Sequence, residues 1–395
     1  MTEITVVGGG LGGLVAAITA AEAGARVTLH EAHSGLGGRA RTLDGPYRAN
    51  DGTRVFYGDG PHWAWLAARG LAGPAAKVGR RELTRLVFRH AGRVRGRPPA
   101  ALLRAVAHRR LRAPFDRDFH GWACERFGER AARAVEGFAG IITFDADPGR
   151  LSAEFVWERV LRVAAPKPPA ARYVIGGWQS VVDRLAGHAR RLGVRIETGS
   201  RVTELPPPPV VVATHLASAR SLVGDDGLDW ESGRSVLLAL GLAADPHDPF
   251  IAWDLDEGGF SERYTGPDPS LAPPGHSLVQ AQLPMRPGER TADAVARLER
   301  LFDQSYRDWR GRVVWRRDAV ANGRTGAVDL PGRTWRDRPA VARGNGVYVA
   351  GDQVAAPGFL SEVTFASAIE AATRAVRDVT RSAGRSGRPV SQARP

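Results

Sequence analysis

The sequence predicts an α/β protein with two domains, because three separate stretches carry the pattern of a doubly wound sheet. An apolar strand, a glycine-rich turn, a helix and a second strand occupy Ile4–His30. The α/β pattern returns at Gly176–Ala213, and a short apolar strand at Gly346–Ala350 leads into a closing alanine-rich helix. Buried parallel strands are typically continuous apolar runs, as in these stretches. We therefore predict a Rossmann-like domain assembled from discontinuous segments.

The intervening stretches predict a second, α+β domain built from an antiparallel sheet plus helices. From Val236 to Pro287, apolar runs alternate with loops rich in Pro, Gly and Asp, which is typical of antiparallel strands. The predicted bounds are 1–75, 170–235 and 340–380 for the first domain, 76–169 and 236–339 for the second, and 381–395 for a disordered tail.

The first turn has the residues that a dinucleotide pyrophosphate needs. Gly8, Gly10 and Gly13 have the G-x-G-x-x-G spacing, in which the glycines permit a tight turn, admit the pyrophosphate and allow close helix–strand packing. The following helix N-terminus adds N–H donors and partial positive charge, so Leu11 and Gly12 are also expected to contact the cofactor. A glycine-rich turn without a ligand is the alternative.

An acidic residue and a second glycine loop follow at the places where a dinucleotide site uses them. Glu31 ends the strand Arg26–His30, and an acid there accepts hydrogen bonds from the adenosine ribose. The loop Ser34–Ala40 then carries Arg39, whose planar guanidinium pairs with two phosphate oxygens at once. A solvated loop arginine is the alternative.

The remaining elements follow from periodicity and from the positions of Gly and Pro. The predicted helices are one that opens at Gly60–Pro61, then Ala100–Leu111, Phe115–Phe138, Leu151–Ala164, Trp178–Leu192, Thr291–Tyr306 and Ser361–Val379. The predicted strands are a short run before Tyr57, parts of residues 80–90, Val194–Glu197, Val202–Leu205, Val210–Ala213, Val236–Ala243, Val313–Trp315 and Gly346–Ala350. A proline-rich linker is predicted at 165–170.

Length and composition place the chain among ordinary folded proteins. With 395 residues, 43% of them hydrophobic, it is long enough for two or three cores. Its single cysteine, Cys124, excludes an intrachain disulfide and favours a reducing cytoplasm, and a half-buried helical position explains it better than catalysis. Leu14–Ala21 is far shorter than the ~20 residues that span a bilayer. We expect no transmembrane helix, no signal peptide and no metal site.

The net charge of +13 is concentrated in two places. Between Lys77 and Arg117, thirteen basic residues accompany two acidic ones, and six arginines accompany a single aspartate after Ala372. Helix Ala100–Leu111 in the first patch is basic and amphipathic. Three roles stay open for it: contact with an anionic membrane surface, lining of an apolar substrate tunnel, and packing on the core or exposure to solvent. Nucleic acid is not an expected partner, because the patch lacks interleaved aromatic residues.

Three motifs resemble the flavoprotein superfamily that contains phytoene desaturases, protoporphyrinogen oxidase and flavin amine oxidases. The motifs are Gly8-Gly9-Gly10-Leu11-Gly12-Gly13, Gly35-Leu36-Gly37-Gly38-Arg39-Ala40 and Val347-Tyr348-Val349-Ala350-Gly351-Asp352. They look most like the phytoene-desaturase-like branch, and their order implies FAD rather than NAD as the cofactor. The resemblance covers the three segments of the first predicted domain.

The resemblance implies a set of cofactor contacts that runs from the pyrophosphate to the flavin. The expected contacts are Gly8, Gly10, Leu11, Gly12 and Gly13 for the pyrophosphate, Glu31 for the ribose, Gly38 and Arg39 for the pyrophosphate and inner flavin side, Val202 for adenine, Gly351 and Asp352 for phosphate or ribityl oxygen, and Leu360 before the helix directed at the flavin.

The resemblance also implies an FAD-dependent oxidoreductase that dehydrogenates or desaturates an apolar or polycyclic small metabolite. Hydride would pass to flavin N5, in secondary or isoprenoid metabolism. Such a reaction needs no strong base, so no catalytic residue is assigned, and Arg54, Tyr57 and His62 are the pocket candidates. A flavin-dependent isomerase or reductase, an amine oxidase and a non-catalytic binding protein stay open as alternatives.

The chain departs from the family pattern at three places. Gly52-Thr53-Arg54 stands where relatives often have Gly-Pro-His, and a proline run replaces the usual β-meander between Val202 and Val210. No aromatic pair marks the C-terminal flavin contact, which weakens the amine-oxidase alternative. The chain is also short for a carotenoid desaturase, which favours a small apolar substrate. The sequence makes no prediction of the oligomeric state.

Overall fold

The computed structural model describes residues 2–52, 55–164 and 171–386, with the backbone alone beyond 378. The chain divides into two compact units, each built from separate segments. Unit 1 comprises Met1–Gly38, Val182–Asp229 and Arg338–Pro395, and unit 2 comprises Arg39–Val181 and Trp230–Asp337. Within the described residues, no helix is long and apolar enough to cross a membrane.

Both strands and helices occur in each described stretch of the chain. The strands are β1 (Glu3–Val7), β2 (Arg26–His30), β3 (Phe56–Tyr57), β4 (Ala75–Ala76), β5 (Leu86–His90), β6 (Arg93–Arg95), β7 (Ala171–Val174), β8 (Arg195–Glu197), β9 (Val210–Val212), β10 (Ser232–Ala243), β11 (Ile251–Asp254), β12 (Gly259–Arg263), β13 (His276–Pro284), β14 (Val313–Ala327), β15 (Ala342–Gly344) and β16 (Val347–Val349). The helices are α1 (Leu11–Glu22), α2 (Pro61–Ala68), α3 (Arg80–Leu83), α4 (Ala100–Ala107), α5 (Phe119–Phe127), α6 (Glu129–Thr143), α7 (Ala153–Ala164), α8 (Gln179–Arg191), α9 (Leu216–Val223), α10 (Thr291–Ser305), α11 (Trp309–Arg312) and α12 (Ser361–Ser386).

Unit 1 contains a sheet in which the described strands lie in the order β15-β16-β9-β1-β2-β8. All neighbours are parallel except the edge strand β15. The chain leaves β1 toward β2 and β8 and then returns on the other side as β9 and β16. The strand order therefore reverses between β1 and β9, and ligands of such sheets bind beyond the carboxyl ends of the strands at this reversal.

Helix α1 is buried on most of its surface rather than along one stripe. It packs against β1, β2 and α12, and Leu14 to Ile18 are fully buried. Small residues make this possible, because alanine and glycine let neighbouring backbones approach closely. The alanine-rich composition of α1 and α12 is thus explained by their mutual packing.

Unit 2 is organised around a second sheet of described strands in the order β14-β10-β13-β12-β11-β5-β6. The long strand β10 pairs antiparallel with β13 and β14, and β5 is the one strand that pairs in parallel, with β11. Helix α10 covers one face of this sheet. Phe302 of α10 is fully buried and stacks on Tyr306 at 4.9 Å between ring centroids, within a core of Val, Leu and Ala side chains from β10 and β13.

Three predicted elements differ from the observed ones. Val202–Leu205 is not a strand, because it pairs with none of the described strands of either sheet. The predicted helix Phe115–Phe138 is two helices, α5 and α6, separated by Gly128 at φ +78°. Strand β14 extends Val313–Trp315 as far as Ala327, with exposure alternating along most of its length, as a half-exposed edge strand requires.

The unit boundaries also differ from the predicted domain bounds, most at the first boundary. Residues 39–75, predicted in the first domain, belong to unit 2. Two interactions hold them there: β3 pairs with β7, and the Asn50 backbone exchanges hydrogen bonds with the Gln280 side chain. At the C-terminus, α12 continues to Ser386 where a disordered tail was predicted from 381. The remaining tail residues and the predicted linker at 165–170 lie outside the described residues.

Candidate cofactor-binding site

The predicted glycine turn joins β1 to α1 and is the most tightly packed backbone of unit 1. Gly8 has a φ of +108°, and a Cβ added there would lie 2.7 Å from the Ala213 carbonyl oxygen. A Cβ on Gly13 would lie 1.7 Å from the carbonyl oxygen of Gly8. Real Cβ atoms do not approach oxygen this closely, so both positions require glycine. These contacts carry out the predicted roles of the first and third motif glycines.

Gly10 has open space where Gly8 and Gly13 have none. An added Cβ at Gly10 would have only the Gly37 carbonyl oxygen within 4 Å, at 3.8 Å. The backbones of the two glycine loops face each other here, since Gly10 and Gly37 form a β-bridge and Gly38, at φ +54°, approaches Gly10 closely. The residues fit a pyrophosphate, because the backbone surface is open and free of side chains where the phosphate would approach.

The N-terminus of α1 offers hydrogen-bond donors at the same place. Gly10 is the N-cap residue and has no side chain to accept from the first turn of the helix. Leu11, Gly12 and Gly13 form that turn, and the first N–H groups of a helix lack partners within the helix. Their partial positive charge favours an anion such as a pyrophosphate.

Glu31 is buried at the end of β2, and its carboxylate accepts hydrogen bonds from two neighbouring residues. Gly9 N donates to Oε2 at 2.7 Å, and the His33 backbone N and Nδ1 donate to Oε1 at 2.9 and 2.7 Å. Burial opposes ionisation of Glu31, but the hydrogen bonds from His33 and Gly9 outweigh it and lower the pKa of the carboxyl. A carboxylate has about four acceptor sites, so these three donors leave one for a ribose hydroxyl.

Val202 follows a loop that is hydrogen-bonded to the Glu31 segment. Gly199 N donates to the His33 carbonyl at 2.8 Å, and Ser200 N donates to the Glu31 carbonyl at 2.8 Å. The backbone of this loop therefore lies beside the predicted ribose acceptor even though the predicted strand is absent. Sequence reasoning missed His33 and Ser200, because nothing in their spacing marks them as partners of Glu31.

The C-terminal motif lies at the carboxyl end of β16. Gly351 N donates to Ser367 Oγ of α12 at 3.0 Å, which ties the start of this turn to the helix, and Asp352 follows half-buried. Leu360 has a left-handed backbone, with φ +52°, just before α12 begins. Glu362 in the first turn accepts from Phe359 N at 3.0 Å, so a buried carboxylate already lies at this helix N-terminus.

Two predicted cofactor or pocket residues are not tied to this site by the structure. Arg39 opens the second unit, and its Nη1 donates to the backbone carbonyl of Arg324 at 2.9 Å. Its predicted contact with phosphate stays a prediction. Arg54 and the adjacent Thr53 lie outside the described residues.

The other two pocket candidates, Tyr57 and His62, lie in unit 2, where His62 is part of an aromatic cluster around Phe56. Phe56 stacks on His62 at 5.1 Å and on Trp178 at 4.2 Å between ring centroids. Burial, aided by the charge of Arg162, lowers the pKa of His62 to about 4, so the imidazole is neutral at pH 7. The Arg162 guanidinium lies 4.8 Å from the Tyr57 ring. A neutral imidazole can accept or donate a hydrogen bond but supplies no charge.

Unit 2 also contains a recess that sequence reasoning missed. It is formed by a turn before β3 and by three strands of the large sheet, and its lining residues are Asn50, Gly52, Leu237, Leu238, Ala239, Gln280, Ala281, Arg317 and Ala319. These residues are far apart in the sequence, so no local motif marks them. Arg317 pairs with Asp51 at 2.6 Å.

Two family models match separate parts of the chain. A model described as an NAD(P)-binding Rossmann-like domain matches residues 6–69. A model described as flavin containing amine oxidoreductase matches residues 253–379. No curated protein matches the chain in sequence. The matches confirm the predicted Rossmann-like fold class and FAD as the cofactor.

Solved structures share the fold over nearly the whole chain. An oxidoreductase from Methanosarcina mazei is 16% identical, with a TM-score of 0.69 over 96% of this chain and 100% of that chain. A putative protoporphyrinogen oxidase from Exiguobacterium sp. is 15% identical, with a TM-score of 0.69 over 96% and 99%. A reduced UDP-galactopyranose mutase is 14% identical, with a TM-score of 0.71 over 95% of each chain. At these identities, the likeness shows the fold.

We expect Gly10→Ala to weaken FAD binding while leaving the apoprotein folded. The new methyl group meets no close neighbour in the protein, yet it projects into the space assigned to the pyrophosphate. Overpacking costs ~1–3 kcal/mol, which corresponds to roughly 5- to 150-fold in the FAD dissociation constant. Flavin fluorescence during reconstitution of the apoprotein measures this constant.

Gly35→Ala is the matched control for Gly10→Ala. Gly35 lies in the second glycine loop, has open space around it and has no left-handed backbone. Its FAD affinity should equal that of the wild type. Equal affinity in Gly10→Ala and the wild type would contradict the pyrophosphate assignment.

Glu31→Gln should destabilise the protein at neutral pH and much less in acid. The folded pKa of Glu31 lies below its usual value of 4.5, so its stabilisation is present above pH 4.5 and is lost as the pH falls through the folded pKa. Hydrogen bonds to a charged group contribute ~1.5–3 kcal/mol, which is the expected loss in unfolding free energy at pH 7. Chemical denaturation at several pH values measures the difference. Glu3→Gln, at an exposed site on β1, should show no such difference, and a Glu31→Gln effect that is constant with pH would refute the argument.

Proposed function

We propose that this FAD-dependent oxidoreductase, whose residues 253–379 match the flavin containing amine oxidoreductase family, dehydrogenates or desaturates an apolar or polycyclic small molecule of secondary or isoprenoid metabolism. The observation that carries the proposal is the character of the recess in unit 2. Bound FAD supplies the hydride acceptor, and the protein supplies binding, orientation and the exclusion of water.

The recess is lined mainly by small apolar side chains from the large sheet. Leu237, Ala239 and Ala319 contribute apolar side chains, and none of the described residues that line the recess is acidic. A cationic amine requires an anionic or aromatic partner, and the lining instead contains the cation of Arg317. The recess has room for about one water-sized group, so it would contact one small apolar or anionic group of a substrate rather than enclose the molecule. Such a group suits this lining better than an amine does.

The polar lining groups already bond to other parts of the protein. Gln280 Nε2 donates to the Asn50 carbonyl at 2.8 Å, and Gln280 Oε1 accepts from Asn50 N at 3.1 Å. The Asn50 side-chain oxygen accepts from Thr42 Oγ1 and from Trp178 N. These bonds hold the turn in place and leave few polar groups to bind substrate, which supports an apolar substrate.

This lining also separates the proposal from the amine-oxidase alternative. A putrescine oxidase is among the proteins of this fold, at 14% identity and a TM-score of 0.66 over 96% of this chain and 99% of that chain. Putrescine is a dication at neutral pH. Asp51, which lies between the lining residues Asn50 and Gly52 in the sequence, is paired with Arg317 and Arg41 and so is not available as a partner for an amine.

Anaerobic flavin reduction tests the proposal directly. We expect apolar polycyclic or isoprenoid candidates to bleach the flavin absorbance of the holoenzyme, and putrescine to leave it unchanged. Bleaching by putrescine alone would establish an amine oxidase instead. Turnover of an apolar candidate without bleaching would establish a flavin-dependent isomerase.

Ala319→Phe and Val320→Phe place the same side chain on opposite faces of β14. Ala319 lines the recess, whereas Val320 is exposed on the other face. Ala319→Phe should fill the recess and slow flavin bleaching by an apolar substrate roughly 5- to 150-fold, since overpacking costs about 1–3 kcal/mol. Val320→Phe should behave as the wild type. Equal rates in the two variants would exclude the recess as the substrate site.

We also propose that the basic patch at residues 77–117 contacts an anionic membrane surface. Leu103 of α4 is 55% exposed and Phe115 is 47% exposed, so large apolar side chains project from this patch. Exposed arginines at 104, 109, 110 and 112 accompany them. Apolar side chains flanked by exposed cations are typical of segments that lie in a membrane interface.

Reversing the charge of two patch arginines should release the protein from anionic vesicles. Each basic residue near the surface contributes ~1 kcal/mol, so Arg109→Glu combined with Arg110→Glu should weaken binding at least tenfold. Co-sedimentation with phosphatidylserine vesicles, compared with neutral vesicles, measures the effect. Arg26→Glu combined with Arg307→Glu makes the same change in net charge elsewhere and should retain binding. Equal loss in both double variants would show that total charge, rather than this patch, governs binding.

A further inference from the structure

A histidine, a cysteine and a glutamate converge on the surface of unit 2, at the turn between α5 and α6. His120 and Cys124 are one helical turn apart on α5, and Glu129 is the first residue of α6. The left-handed Gly128 turns the chain between the helices, so Glu129 faces back toward α5. No residue of this cluster takes part in the cofactor site or the recess.

The three side chains present their ligand atoms to one point. Cys124 Sγ lies 3.6 Å from His120 Nε2 and 2.9 Å from Glu129 Oε2, and His120 Nε2 lies 3.8 Å from Glu129 Oε2. Zinc bonds of ~2.0–2.3 Å at tetrahedral angles separate neighbouring ligand atoms by roughly 3.3–3.6 Å. The observed separations thus need shifts of only a few tenths of an ångström to surround a zinc ion.

A fourth side chain orients the histidine in the way that zinc sites use. Glu136 of α6 accepts a hydrogen bond from His120 Nδ1 at 2.6 Å. This bond fixes the ring and leaves Nε2 facing the thiol and the Glu129 carboxylate. Metal-ligating histidines characteristically donate their other ring nitrogen to a carboxylate in this manner.

We propose that His120, Cys124 and Glu129 bind a zinc ion, with water as the fourth ligand. Nitrogen, sulfur and carboxylate oxygen are the ligands that zinc accepts in tetrahedral sites. His120 and Glu129 are about half exposed, so the fourth position is open to solvent. Binding replaces the thiol proton, which is released to solvent, by a zinc–sulfur bond, and the ion then joins α5 to α6.

Arg133 is the cation that pairs with a member of the cluster. Arg133 pairs with Glu129 through Oε1 at 2.5 Å, which leaves Oε2 directed at the thiol. The thiol hydrogen bond to Oε2 occupies the place that the metal would take. Without zinc, burial and the neighbouring Glu129 raise the pKa of Cys124 to about 11, so the thiol is a poor nucleophile and catalysis by Cys124 is disfavoured.

The chain has a single cysteine, so a thiol-labelling assay reports on this site alone. Labelling of the FAD-loaded full chain should slow about tenfold when free zinc is about ten times its dissociation constant, because the site is then ~90% filled. A chelator should restore the original rate. Zinc that leaves the labelling rate unchanged would overturn the proposal.

Variants that retain Cys124 distinguish a three-ligand zinc site from adventitious zinc binding. His120→Ala and Glu129→Gln should each lose the protection by zinc, with FAD content confirming that each variant is folded. His247→Ala removes another exposed histidine, one paired with Asp245 at 3.0 Å and without a thiol nearby, and should keep full protection. Protection that persists in Glu129→Gln, the more conservative and exposed change, would show binding by the thiol alone and reject the site.

Discussion

The close approach of α1 to β1 is the constraint on which the cofactor half of the molecule depends. Helix α1 can pack against the Gly8 carbonyl because Gly13 has no side chain, and the turn can pass close to Ala213 because Gly8 has none. This packing directs the first N–H groups of α1 to the carboxyl edge of the sheet, where the strand order reverses. The open surface at Gly10 and the acceptor Glu31 are arranged around that point. A bulkier turn would separate all of them.

Internal hydrogen bonds decide which polar groups are left for ligands. Three protein donors hold the Glu31 carboxylate in place and leave it charged, with one acceptor site for a ribose. In the recess, the Gln280 side chain and the Asn50 backbone satisfy each other, so the lining around the paired Arg317 is left mainly apolar. The same principle holds between α5 and α6, where Glu136 fixes His120. In each case, hydrogen bonds within the protein fix the orientation of the polar side chains and so determine which of their atoms are left to bind a ligand.

Some elements were predictable because their signals are local, and others were not. The glycine turn, the strand Arg26–His30 and the start of the closing helix depend on neighbouring residues in the chain, and they occur where predicted. The prediction of a strand at Val202–Leu205 was wrong, since apolar residues alone do not supply a neighbouring strand to pair with. The break at Gly128 was missed because an isolated glycine within a helical pattern is often tolerated.

The sequence alone predicted the Rossmann-like fold, because strand, glycine turn, helix and acid follow one another within a single supersecondary unit. The resemblance of three separated motifs to a flavoprotein superfamily implied FAD, which is confirmed, whereas the individual pyrophosphate contacts stay a prediction. Only the tertiary structure shows that hydrogen bonds from His33 and Gly9 lower the pKa of Glu31 and fix its carboxylate. Only the tertiary structure places residues 39–75 in unit 2. It also assembled the recess from three strands, and the cluster of His120, Cys124 and Glu129 across a turn. These features bring together residues from different elements, and sequence spacing does not record distances between elements.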